Sequence, residues 1–321
     1  MDKNLYFTVL ICTLNRHDKL IDCLRSIKRN TYKPYEVVIV DQSDELSEDL
    51  NQWIRKNKKI QTIRLYQIAK KNLSYAWNVG IRKARGNIIV FTDDDCIVDK
   101  HWLSQAFLTF KNKSISAVFG KTLPYKKSKP PIKDISCLCT FIKRKELTIS
   151  SPCYHSDWIG YGNNMAIRKS IFNKIGLFKE WLGQGSIGVH GNDAEMIYRI
   201  LYNGLSIRYN PKMVVKHNRW LTVEAHRRQN LFYDCGEMAA YGYYALVGER
   251  VARDVIIKNI KQYIQNFYYV SKHDLLRFKL LDYLKFLYLI PWEIMYRLWG
   301  LVVALIFKLL EELYIVKKIY L

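Results

Sequence analysis

Three consecutive aspartates, Asp93, Asp94 and Asp95, close the very apolar run 87–92, Asn-Ile-Ile-Val-Phe-Thr. Adjacent carboxylates repel one another unless a cation sits among them. In an extended chain, residues i and i+2 point the same way, so Asp93 and Asp95 are expected to face one side together. Oxygen-only ligands suit a hard divalent cation, Mg²⁺ or Mn²⁺, which keeps some water and is completed by substrate phosphates. On these residues alone the run is either such a cation site or a solvated turn that caps a helix expected near 102–110.

The elements that would position this run follow from periodicity. The apolar stretches at 6–12, 36–41, 63–66 and 87–92 read as strands, and the stretches near 19–28, 46–56 and 75–84 as helices. Continuous apolar strands alternating with helices predict an α/β domain built on a mainly parallel sheet covered on both faces. Ligands of such sheets bind beyond the carboxyl ends of the strands. That rule selects residues 13–16 (Thr-Leu-Asn-Arg), 41–44 (Asp-Gln-Ser-Asp) and the three aspartates as one polar rim. No Gly-x-Gly-x-x-Gly follows the first strand and no Gly-rich loop ends in Lys-Ser or Lys-Thr. Dinucleotide-binding dehydrogenases and phosphate-loop nucleotidases are therefore disfavoured.

At 321 residues, with 49 % of them hydrophobic, the chain is long enough to bury a substantial core. Its net charge of +22 attracts polyanions, whether phosphorylated substrates, anionic lipid or nucleic acid, but no nucleic-acid-binding motif accompanies it. Seven cysteines, an odd number in mostly apolar surroundings, argue against a disulfide framework. The start lacks a basic segment followed by a long apolar core and a cleavage site, so the chain is expected to remain in the cytoplasm. Beyond residue 225 the pattern turns helical. The ten uncharged residues 298–307 are too few for a membrane span, and Pro291, Glu293 and Arg297 interrupt any extension. Helices peripheral to an anionic membrane surface, at the inner face of the cell membrane, or a packing or dimerisation subdomain would both give this pattern.

Four segments in order carry a more specific signal: 9–16 (Val-Leu-Ile-Cys-Thr-Leu-Asn-Arg), 37–43 (Val-Val-Ile-Val-Asp-Gln-Ser), 72–80 (Asn-Leu-Ser-Tyr-Ala-Trp-Asn-Val-Gly) and 86–96 (Gly-Asn-Ile-Ile-Val-Phe-Thr-Asp-Asp-Asp-Cys). Together they resemble the family-2 inverting glycosyltransferases, and the resemblance continues through Gly162-Asn163-Asn164-Met165 and Gly191-Asn192-Asp193 to about residue 220. It implies a Rossmann-like, mainly parallel sheet of the A-type glycosyltransferase fold over residues 1–224, whereas residues 225–321 are set apart by their helical pattern as a C-terminal region at the membrane or in a packing interface. It implies that Thr13, Asn15, Arg16 and Asp41 line the nucleoside pocket of a UDP- or dTDP-sugar donor, with Asn78 nearby on the donor side. Asp93 and Asp94 would approach the ribose and sugar, and Asp95 with His217 would hold Mn²⁺ or Mg²⁺.

On the same mapping Asp193 is the base that deprotonates a glycan or lipid-linked acceptor, giving transfer with inversion in cell-surface polysaccharide synthesis. The family usually has Glu where this chain has Asn192. A local alternative is a capping box in which Asn192 caps a helix together with Glu195, leaving Asp193 as a first-turn residue. A nucleotidyltransferase would also gather aspartates at strand ends, but with a basic Gly-rich loop that residues 13–16 do not form. A non-catalytic basic membrane scaffold is the alternative from another class, and it would lack a metal-dependent donor site.

Overall fold

The computed structural model describes residues 5–57, 62–126, 135–152, 159–273 and 280–312. They fall into two compact units. The first comprises Met1–Pro152, Ile159–Glu180 and Met196–His226, and the second Cys153–Trp158, Trp181–Glu195 and Arg227–Leu321.

In the first unit β1 (Phe7–Thr13), β2 (Tyr35–Asp41), β3 (Thr62–Gln67) and β4 (Ile88–Phe91) alternate with α1 (His17–Lys28), α2 (Glu48–Asn57) and α3 (Leu73–Lys83). Every residue of β1, β2 and β4 is buried, as expected for strands covered on both faces. The chain continues through β5 (Cys96–Val98), α4 (Trp102–Phe110), β6 (Ile115–Pro124), β7 (Ile135–Cys137), β8 (Leu147–Ile149), β9 (Met165–Arg168), α5 (Lys169–Ile175), β10 (Ser206–His217) and β11 (Trp220–Thr222). The main sheet runs β3-β2-β1-β4-β9-β6-β10-β5, with β8 beside β10.

β3, β2, β1 and β4 are mutually parallel, whereas β9 runs antiparallel between β4 and β6. β10 returns parallel to β6 and antiparallel to β5. This is an α/β fold with a mainly parallel sheet. Its core lies under α1 and α4, where Phe7, Val9, Ile11, Leu24, Trp102 and Phe110 pack together. Full burial of such side chains contributes roughly 1.5–3 kcal/mol each. Gly86 admits the tight entry to β4, because a Cβ there would meet the backbone nitrogen of Thr8 at 2.5 Å.

The second unit holds α7 (Val223–Leu246) from Arg227 onward, α8 (Arg250–His273) and α9 (Leu280–Glu312). Trp181, Leu182, Ala239, Ala240 and Val303 form its small core. α6 (Asn192–Tyr202) begins in this unit and ends in the first. No helix among the described residues is long and apolar enough to cross a membrane. The stretch 124–151, which its basic residues and prolines suggest as an acceptor-side loop, carries β7 and β8, and its residues 127–134 lie outside the described residues.

Candidate active site at the strand ends

β1, β2 and β4 all end on the same edge of the sheet, since Thr13 is in register with Asp41 and Leu10 with Phe91. Immediately beyond them the chain carries Arg16, Ser43 and the three aspartates. β10 runs antiparallel to β5, in a register that sets His217 opposite Cys96. The backbone N–H of Asn218 donates to the Asp95 carbonyl at 2.9 Å, tying the end of β10 to the acidic run.

The aspartates divide by partner. Asp95 Oδ1 lies 3.0 Å from His217 Nε2 and its Oδ2 accepts from Arg16 Nη1 at 2.8 Å. Asp93 Oδ2 is 3.9 Å from the same His217 nitrogen. Asp94 points elsewhere, its Oδ2 accepting from Thr13 Oγ1 at 2.7 Å. Asp94 Oδ1 lies 2.8 Å from Arg16 Nη2, an ion pair without an aligned N–H, so that buried oxygen has no hydrogen bond. Asp93, read from the sequence as a donor contact, is thus grouped with Asp95 and His217.

Burial dominates the electrostatics. It pushes the Asp94 carboxyl up to about 7 against the pull of Arg16. The same burial acts on Asp95, but the hydrogen bond and charge of His217, with Arg16 and Arg219, outweigh it and bring that carboxyl down to about 2. For His217 burial acts downward, and the bond to Asp95 overcomes it, so its pKa is raised.

Asp93, Asp95, Cys96 and His217 each offer one ligand atom, all within 4.8 Å of one another. Burial holds the Cys96 thiol above its ordinary value, and its sulfur is a softer ligand than the oxygens that a hard cation prefers. The remaining set, two carboxylates and an imidazole, suits a hard or borderline divalent cation. His217 is already oriented for such a role. Its Nδ1–H donates to the Leu138 carbonyl at 2.6 Å, an outer contact that fixes the ring and turns Nε2 toward the carboxylates.

The neighbouring rim is organised around Asp41, whose side chain is wholly buried. Its Oδ1 accepts from the Ser43 N–H at 2.8 Å and its Oδ2 meets His17 Nε2 at 2.8 Å. The Ser47 N–H donates to His17 Nδ1 at 3.3 Å, so Nε2 is the protonated nitrogen. Asn15 takes a left-handed backbone, φ 55°, which Asn tolerates better than most residues, and its N–H donates to Ser43 Oγ at 2.7 Å. Ser43 lies in the segment 41–44 that the strand-end rule selects, whereas no sequence signal singles out His17. Asn78 is a brace: its Nδ2 donates to the Phe178 carbonyl and its Oδ1 accepts from the Phe178 N–H, both at 2.9 Å. The amide expected near the nucleoside is spent on that backbone.

Asp193 stands in the first turn of α6 and is described with the second unit. The capping-box expectation is overturned. The Gly191 carbonyl accepts from the Glu195 N–H at 2.9 Å, which puts the cap one residue earlier, and the Glu195 carboxylate accepts from Tyr244 Oη at 2.8 Å. Gly191 has φ 84° and lies against Gly236 of α7, where a Cβ on Gly191 would meet the Gly236 carbonyl oxygen at 2.4 Å. This close approach brings Glu237 into the field of Asp193. Burial, then the charges of Asp234 and Asp193, push Glu237 up to about 8. Asp234 pairs with Arg297 at 2.8 Å.

The model of glycosyl transferase family 2 matches residues 8–176, more than half of the chain. The chain belongs to glycosyl transferase family 2. Among curated relatives of this family-2 chain, glycosyltransferase GlyG of Streptococcus pneumoniae is 25 % identical over 123 residues, 38 % of this chain and 40 % of that protein. The glucosyl-dolichyl phosphate glucuronosyltransferase of Haloferax volcanii is 22 % identical over 234 residues, 65 % of this chain and 68 % of that protein. The family-2 chain thus aligns with well under half of the first relative and about two thirds of the second. Among solved structures, the mannosyltransferase PcManGT of Pyrobaculum calidifontis, in complex with GDP-Man and Mn²⁺, has a TM-score of 0.58. It is 13 % identical, and the match covers 97 % of this chain and 88 % of that one. The shared fold is that of the A-type glycosyltransferases.

Proposed function

We propose that this family-2 chain transfers one sugar from a UDP- or dTDP-sugar to a glycan or lipid-linked acceptor, with inversion, in synthesis of a cell-surface polysaccharide. The observation that carries this reading is the convergence of Asp93, Asp95 and His217 beside Arg16 and Thr13 at the strand ends of a family-2 chain. Residues 1–224 form the donor and catalytic part, and 225–321 a helical region that works at the membrane.

Thr13, Asn15, Arg16 and Asp41 line the nucleoside side, with Asp41 acting through the ring of His17 and the Ser43 hydroxyl, and Asn78 bracing the pocket from behind. Asp94 approaches the donor ribose and sugar, together with Asp93. Asp95 and His217, with Asp93, would hold Mn²⁺ or Mg²⁺, which would supply positive charge to stabilise the leaving nucleoside diphosphate. Asp193 takes the proton of the acceptor hydroxyl as its oxygen bonds to the anomeric carbon and the bond from that carbon to the phosphate oxygen breaks. One displacement of this kind inverts the anomeric centre. The apolar side chains exposed on α9, among them Trp292, Leu298 and Leu305, support docking of the chain from the cytoplasm onto the inner face of the membrane.

Purified protein incubated with a panel of nucleotide sugars, an acceptor extract and Mn²⁺ should release nucleoside diphosphate and stop on addition of EDTA. No release from any donor would refute the reading. The anomeric configuration of the product, read by NMR, checks inversion.

A further inference from the structure

The acidic run already has a cation, and it belongs to the chain itself. The Arg16 guanidinium bridges two carboxylates, with Nη2 2.8 Å from Asp94 Oδ1 and Nη1 2.8 Å from Asp95 Oδ2. The two aspartate side chains are 0 % and 1 % exposed, whereas that of Arg16 is 34 % exposed. The carboxylates are therefore fixed, and the arginine has an open route away from them. Both oxygens of Asp95 are engaged, one by Arg16 and the other by His217.

An ion held by Asp95 and His217 would share a buried carboxylate with a guanidinium, and two cations at that range repel strongly in a low-dielectric site. The contact to Asp94 is also poorly aligned, so less is lost when it breaks.

We propose that Arg16 is a resident counter-cation: it balances Asp94 and Asp95 when no divalent ion is bound, competes with that ion for Asp95, and turns to the donor diphosphate when released. The inference rests on the metal and diphosphate reading above. It has a consequence that a passive ligand set would not produce. A nucleoside diphosphate gives the displaced guanidinium new anionic partners in a bidentate geometry suited to it, so it favours the arrangement in which Asp95 is free for the ion. The ion should therefore bind weakly alone and tightly with nucleotide, and part of that coupling should run through Arg16.

The test uses the full chain and Mn²⁺, with free ion followed by electron paramagnetic resonance, with and without UDP. In Arg16→Gln, Mn²⁺ alone should bind about tenfold more tightly than in the parent, and the enhancement by UDP should shrink by a similar factor. Arg16→Lys, which keeps the charge but cannot bridge two carboxylates, should fall between. Melting gives a second readout. Arg16→Gln should melt lower than the parent in EDTA and recover more than the parent on adding Mn²⁺, because the uncompensated carboxylates then regain a cation. Mn²⁺ binding to Arg16→Gln no tighter than to the parent, or a melting difference unchanged by Mn²⁺, overturns the inference alone. A parent protein that binds no Mn²⁺ with or without UDP overturns the metal reading and the inference together.

Discussion

Asp95 and Asp94, neighbours in the chain, are shifted in opposite directions because their partners differ. Asp95 faces His217 and the guanidinium and lies at about 2, whereas Asp94 is raised to about 7 by burial that Arg16 only partly offsets. Asp95→Asn leaves the backbone tie to Asn218 in place but removes the charge that gathers His217 and the cation. Mn²⁺-dependent UDP binding, measured by calorimetry, should be lost, and transfer should fall by roughly 10²–10³-fold. Asp193→Asn is a different case, because its carboxylate is assigned to the proton of the acceptor. Donor binding should be unchanged while turnover falls about 10²–10⁴-fold, and a variant that retained turnover would remove Asp193 from the base role.

The turn into α6 depends on Gly191, which combines a left-handed backbone with contact to the backbone of Gly236 in α7. Gly191→Ala adds a methyl group that must displace backbone and also strains φ, so it should destabilise the second unit by about 1–3 kcal/mol, seen as a lower melting temperature. α9 exposes Leu298 at 56 % and Leu305 at 46 %. Replacing both by Glu should cost little stability, about 0.5 kcal/mol or less each. The same change should weaken sedimentation with anionic phosphatidylglycerol vesicles, while neutral phosphatidylcholine vesicles bind poorly throughout. Equal sedimentation of variant and parent would show that α9 does not meet the lipid.

For the whole molecule, Glu237 and Asp234 make stability depend on pH. Both carboxyls are raised in the folded chain, to about 8 and about 6, chiefly by burial. Between the ordinary carboxyl range and these values, the folded state holds protons that the unfolded chain has released. Stability should therefore fall as pH rises from about 5 and level off above about 8. Glu237→Gln, neutral at every pH, should flatten the part of that decline between about 6 and 8 in melting curves. The charge balance of +22 belongs to the same scale and should make association with anionic vesicles fall as salt is raised.

The sequence by itself determined the order of strands and helices in the first ninety residues, because apolar runs and turn residues are local signals that a parallel sheet obeys. It also determined the candidate residues at three strand ends, since their place follows from where each run stops. Only the tertiary structure decided which of them meet. That Asp93 joins Asp95 and His217 while Asp94 turns to Thr13 depends on β10 returning 122 residues later to lie beside β5. That His17 holds Asp41 depends on the register of β1 with β2. Neither pairing has a local signal, because contacts between distant segments are set by packing rather than by periodicity. The cap of α6 shows the same limit. Asn192 and Glu195 have the right spacing for a capping box, but Tyr244, 49 residues from Glu195, claims its carboxylate.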